Sequence, residues 1–189
     1  MLNYESQYGR LPPAVVYGKD GHALYSWRVL ILPYLDQKKL YDEFALDEPW
    51  NSPHNLPLLQ QRPQIYAPSP RRAKLCPTTN TFCRVFVGPG TPFEDREGQD
   101  LSTFTHGTSN TWLIVEAGPS VPWTMPEGIE YAPEEPLPEF TPIFPDFFRS
   151  AFADGSRHHV STDLGEKTFR TLISRNAELT DDFRQKLGF

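Results

Sequence analysis

Apolar residues open the chain at helical spacing. Leu2, Tyr4 and Tyr8 offer apolar faces, and Gly9 supplies the left-handed residue that suits a helix end. Pro12-Pro13 then forbids continuation. A helix closing at residue 9 is expected to have begun upstream, so the native chain is expected to extend before Met1. Tyr17-Gly18-Lys19-Asp20-Gly21-His22 reads as a turn. Ser26 is placed to cap a helix carrying Trp27, Leu30, Ile31, Tyr34 and Leu35, which Pro33 should kink or split. A second piece over 37–44 presents Leu40, Tyr41 and Phe44 on one face. Ser52-Pro53 has the form of an N-cap followed by Pro at the first helical position, which predicts a short helix through Leu58 and Leu59.

Beyond Ile65 the pattern shifts toward strands. Pro68, Pro70 and Pro77 mark a meandering connection. Residues 81–87 read as a strand, stopped by Gly88-Pro89-Gly90. Residues 110–116 are the clearest strand, and their solid apolar centre predicts burial on both faces. Residues 119–145 read as an extended loop. Residues 147–153, the pair Asp154-Gly155 and 156–160 spell a hairpin. A closing helix over 166–175 turns Phe169, Leu172 and Ile173 inward, with Thr162 or Asp163 as its cap. Nothing repeats at a fixed period. This order predicts a single α+β domain over 1–189, with short helices on a small, mainly antiparallel sheet.

Composition narrows this picture. Thirteen Phe, eight Tyr and four Trp in 189 residues exclude a disordered tail, and twenty Pro argue against a continuous helical bundle. No stretch approaches a membrane span, and the residues from Met1 do not form a secretory signal. The net charge of −6 is localised. Residues 119–146 hold Glu127, Glu130, Glu134, Glu135, Glu139 and Asp146, no Lys or Arg, and eight Pro; the remainder balances at 18 acidic and 18 basic residues. The basic surface of a general nucleic-acid binder is missing, with only Arg71, Arg72, Lys74 and Arg84 hinting at one, so no nucleic-acid partner is expected.

The candidate chemistry is sparse. His158 and His159 are adjacent on a presumed strand and point to opposite faces, poorly placed to share a metal. Ser109 does not lie in a G-x-S-x-G elbow, and Asp154 reads as a turn residue. No catalytic residues are assigned. Glu134, Glu135 and nearby acids could supply oxygen ligands to calcium, without the spacing of an EF-hand. Trp50, Trp123 and the aromatic run 140–148 are either a glycan- or solute-binding groove or core anchors. Cys76 and Cys83 lie seven apart: either a local disulfide in an oxidising compartment or two free thiols. The candidate binding residues are therefore Trp50, Trp123, Glu127, Glu130, Glu134 and Glu135. Trp123 and Phe140 are expected to pin the acidic loop and leave 127–139 in solvent.

Several motifs resemble a known family. They are Asn3-Tyr4 with Gly9-Arg10-Leu11-Pro12-Pro13, the run 26–35 (SWRVLILPYL), and 47–55 (DEPWNSPHN). Gly107-Thr108-Ser109-Asn110-Thr111 before Val115-Glu116, Val121-Pro122-Trp123-Thr124 and Phe152-Ala153-Asp154-Gly155-Ser156 complete the set. Together they resemble the domain of unknown function 1559, a large planctomycete family of pilin-like proteins akin to type II secretion pseudopilins. The resemblance implies a pilin-like fold with a truncated N-terminal helix. It also implies a prepilin-type leader and apolar helix upstream that tether the protein to a membrane. The expected role is non-catalytic and extracytoplasmic, in assembly with other pilin-like or surface proteins. Two family features differ here: Phe144 stands where a His is frequent, and Ala67-Pro68-Ser69-Pro70 replaces a Cys-Pro-Ser-Asp sequence.

Overall fold

The first helix, α1 (Leu2–Tyr8), ends where Gly9 turns left-handed at φ 71°, and its N–H donates to the Glu5 carbonyl. The computed structural model describes residues 1–179 and 183. After Pro12-Pro13, β1 (Val15–Tyr17) and β2 (Ala23–Ser26) pair antiparallel around the 18–22 turn. This hairpin is not legible as strands in the sequence, because each strand is only three or four residues long. Ser26 caps α2 (Trp27–Leu30), its hydroxyl accepting from the Arg28 N–H at 3.2 Å. Pro33 splits the helical run as expected: a 3₁₀ turn, Leu32–Leu35, follows. The next helix, α3 (Lys38–Glu43), buries Leu40.

The stretch read as a helix after Ser52 is a 3₁₀ turn, Leu56–Gln61. Ser52 still anchors its start, accepting from the Asn55 N–H at 3.1 Å. Asn55 is fully buried and holds the 45–55 loop closed. Its amide oxygen accepts from the Ala45 N–H at 3.0 Å, and its amide nitrogen donates to the carbonyls of Ala45, Glu48 and Pro49. The DEPWNSPHN motif is thus a fold element, satisfying loop backbone that would otherwise be stranded.

The predicted strand 81–87 is two strands, β3 (Asn80–Arg84) and β4 (Phe86–Val87). The central strand, β5 (Trp112–Pro122), runs six residues further than its apolar core suggests. It crosses a cis Gly118–Pro119 bond. Its far end pairs with β3 at Asn80↔Pro122 and with β7 (Thr141–Pro142). The segment 119–146 is therefore not one loop: it also contains β6 (Ile129–Glu130), which lies parallel to β4. Gly88, at φ 123°, makes this pairing fit, since a Cβ there would collide with the Tyr131 carbonyl.

The hairpin forms as read, with β8 (Phe147–Phe152) and β9 (Arg157–Ser161) in register from Phe147↔Ser161 to Ala151↔Arg157. The main sheet runs β3, β5, β8, β9, antiparallel throughout. The last helix, α4 (Glu166–Ile173), buries Phe169, Leu172 and Ile173. Gly165, not Thr162 or Asp163, occupies its N-cap, and no side chain caps it.

The core has two clusters. One gathers Leu11, Trp27, Val29, Leu32, Phe44, Tyr66 and Trp123 around the N-terminal helices. The other gathers Trp112, Val115, Phe148, Phe152, Phe169 and Leu172 between the sheet and α4. Leu113 faces the first and Trp112 the second, so β5 is covered on both faces as its apolar run predicts.

Candidate functional site

The acidic segment is tied to the body at both ends. Trp123 is fully buried, its indole N–H donating to the Leu59 carbonyl at 3.1 Å. Its ring stacks on Tyr66 at 5.9 Å and meets Phe44 edge-on. It therefore cannot present a face to a ligand, and its place among the candidate binding residues is corrected: it is a core anchor. Trp50 is half-buried, packs against the same cluster and donates its backbone N–H to Leu24 at 2.6 Å. At the other end, Phe140 is half-buried in a cluster with Phe86, Phe148 and Phe169 at 5.1–5.8 Å.

Glu127 departs from the expected solvated stretch. Its Oε1 pairs with Nη2 of Arg84 at 2.9 Å, and Arg84 also donates to the carbonyls of Pro119 and Gly128. The Arg84 side chain is 4% exposed. Burial pulls its pKa down, and the Glu127 carboxylate opposes that shift. Glu127 is thus committed to the fold. Glu130, on β6, and Glu134 and Glu135 remain exposed. The 133–135 turn is strapped down from beneath, where Arg170 of α4 donates to the carbonyls of Pro133 and Glu135 at 3.0 and 2.7 Å. The backbone is held while the two glutamate side chains project. Among the described residues no group of three or more His, Cys, Asp or Glu is gathered to hold a metal such as calcium.

Of the two alternatives for Cys76 and Cys83, the structure has free thiols. Cys76 follows the 3₁₀ turn Pro70–Leu75, with its sulfur 3.9 Å from the Asn80 carbonyl. Cys83 sits inside β3 opposite Glu116, held by the strand register. Burial pushes the Cys83 thiol up, and Glu116 adds to the shift. Sequence spacing carried no information on either orientation. The carbonyl of Cys83 accepts from the wholly buried guanidinium of Arg28, through Nε at 2.9 Å and through Nη2. Burial lowers the Arg28 pKa. Nothing in the local sequence distinguished Arg28 as a buried charge, because its guanidinium's hydrogen-bond partners lie 55 and more residues away.

The hydroxyls and imidazoles serve turns. Ser156 donates to Asp154 at 2.6 Å and lies 3.0 Å from His158 Nε2, while the Ser156 N–H also donates to Asp154. Asp154 is a turn residue, as read. His106 is buried against Thr111 at 3.1 Å, and burial lowers its pKa.

An apolar groove of about 340 Å³ opens between α1 and the sheet. Leu2, Ile31, Tyr34, Ile65, Cys83 and Ile114 line it, and no charged side chain does. The size is at the lower end for small-molecule sites. The aromatic run offers no comparable platform. Phe144 stacks on Phe147 at 4.7 Å, Phe147 stacks on His159 at 4.2 Å, and Arg72 and Arg149 each approach Phe144 at 5.3 Å. These ring faces are occupied by one another and by guanidinium groups.

No curated protein and no solved structure is significantly similar to the chain. A family profile described as "Protein of unknown function (DUF1559)" matches residues 1–138, which include α1, the SWRVLILPYL and DEPWNSPHN motifs and the acidic segment as far as Pro138. The α+β chain belongs to this DUF1559 family.

Proposed function

We propose that the domain is non-catalytic, works outside the cytoplasm, and acts by assembling with pilin-like or surface proteins. The observation that supports this is the segregation of charge. Six carboxylates and no cations fall in one segment, its ends are anchored in two cores, and Glu130, Glu134 and Glu135 are presented to solvent. Such a surface favours recognition by a partner and discourages nucleic acid. Its Pro content limits the backbone entropy lost on docking. Membrane attachment through an upstream apolar helix belongs to the same proposal and comes from the pilin-like family likeness. Among the described residues no helix is long and apolar enough to cross a membrane.

Two measurements test the reading. Alkaline phosphatase fused to the full native gene product should be active in the native host, since the reporter folds only outside the cytoplasm. Sedimentation of the purified chain should show self-association or capture of a pilin-like partner. An inactive fusion with a stable cytoplasmic product overturns the localisation.

The groove under α1 favours a second reading, an extracellular module for a small apolar solute. A calorimetric screen decides between them: reproducible micromolar binding that Ile114→Lys abolishes would favour the solute reading.

A further inference from the structure

Two blocks of this chain carry nearly equal and opposite charge. Residues 119–146 hold six carboxylates and no Lys or Arg, whereas residues 49–93 hold five Lys or Arg and no carboxylate. The fold uses part of each block. Arg84 takes Glu127, and Arg62 donates to the carbonyls of Pro77 and Asn80. What remains is Arg71 and Lys74, exposed, and Arg72 over the Phe144 ring in the basic block, with Glu130, Glu134, Glu135, Glu139 and Asp146, all exposed, in the acidic one.

Arg72 and the Glu134–Glu135 turn lie on opposite sides of the sheet. Phe148 of β8 meets Phe169 of α4 on one face, 5.8 Å between centroids, and Arg170 of the same helix straps the 133–135 turn to that side. The neighbours of Phe148 along β8, Phe147 and Arg149, point to the other face. There the Phe144–Phe147–His159 stack joins β8 and β9 to Arg72. Arg149 is neutralised by Glu116, whereas Arg157, two residues from His159 and on its face, is exposed and makes no ion pair among the described residues. A cationic face thus backs the sheet side that carries the acidic turn.

We propose that the acidic 133–135 turn of one copy docks on the cationic face of a second copy, formed by the 71–74 segment and β9. The inference rests on the assembly reading above and specifies its partner. Because the two patches differ and lie on opposite sides, the contact is heterologous, and it propagates head to tail into a ring or an open chain. Charge complementarity sets the register and the encounter rate. Screening over ~10 Å at 0.1 M salt makes the contact salt-sensitive.

The test is sedimentation velocity of the full chain at about 0.02 M and about 0.5 M salt, on either side of that screening range. One variant reverses the acidic turn with Glu134→Lys and Glu135→Lys. A second reverses the cationic face with Arg71→Glu, Lys74→Glu and Arg157→Glu. All five side chains are exposed, and circular dichroism checks folding; if either variant fails to fold, the corresponding Gln substitutions replace it. The native chain should associate at low salt and dissociate at high salt. Each variant alone should lose at least about tenfold in association. An equimolar mixture of the two reversed variants should regain it, since reversed turn then meets reversed face. Association that both variants retain, or a mixture that stays monomeric, overturns the docking and leaves the assembly reading standing. A native chain that is monomeric at both salts, with no pilin-like partner captured, overturns both.

Discussion

The two stretches of the acidic segment are built for different ends. Over 119–131 the chain is bound into the body: Trp123 fills the first core, Glu127 answers the buried Arg84, and Ile129 pairs with Phe86. Over 132–139 the backbone is held through Arg170 and Leu137 packs against the second core, while the carboxylates of Glu134 and Glu135 face water. One run of like charge therefore divides into an acid that stabilises the fold and acids that are free for a partner. Net charge alone does not mark that division, because a carboxylate becomes structural only where a buried cation meets it.

This contrast predicts a gradient of stability effects. Trp123→Ala should cost the most, about 3–5 kcal/mol, as a large side chain leaves a packed site. Urea unfolding followed by circular dichroism measures it, and a loss below 1 kcal/mol would mean that the segment is not anchored there. Phe140→Ala should follow at about 2–3 kcal/mol, since the ring is half-buried but joins an aromatic cluster. Glu127→Ala should cost about 1–2 kcal/mol. That figure is below the usual loss for breaking a buried pair, because Glu127 is 41% exposed and Arg84 keeps two carbonyl partners. The double variant Glu134→Ala, Glu135→Ala should stay within about 0.5 kcal/mol of the native chain, as exposed positions do. A larger loss would erase the contrast between the two stretches.

The smallest effect concerns pH. Burial holds the His106 pKa below its ordinary value of 6.5, so the folded state binds fewer protons there than the unfolded chain. Stability should therefore fall as pH drops through and below 6.5, and it should level off above it. Comparing urea midpoints of the native chain and His106→Gln between neutral and mildly acidic pH isolates this contribution. An identical pH slope in the two proteins would assign the dependence to other groups.

The same contrast shows what sequence reading reaches. Local signals were strong where one element decides its own form: Gly9 at a helix end, Ser26 as a cap, Asp154-Gly155 in a hairpin, and the apolar run of β5. They failed where form depends on distant partners. Pro119 and Pro122 read as loop, yet β7 and β3 continue the pairing of β5 past them. Glu127 looked like its neighbours until Arg84, 43 residues away, was placed beside it. The spacing of Cys76 and Cys83 could not show that β3 holds one thiol in register opposite Glu116 while the other turns to Asn80. Trp123 was legible as an anchor but not as one too deep to bind a ligand.

Lys74 is the only lysine in the cationic block 49–93, which makes the proposed head-to-tail contact directly readable. A zero-length carbodiimide reagent joins a carboxylate to an ammonium group in contact. Mixing ¹⁴N- and ¹⁵N-labelled chains lets mass spectrometry separate links between copies from links within one. The account predicts mixed-isotope links from Glu134 or Glu135 to Lys74 at low salt, lost at high salt. Links confined to single chains, or none to Lys74 under conditions where the protein associates, would contradict it.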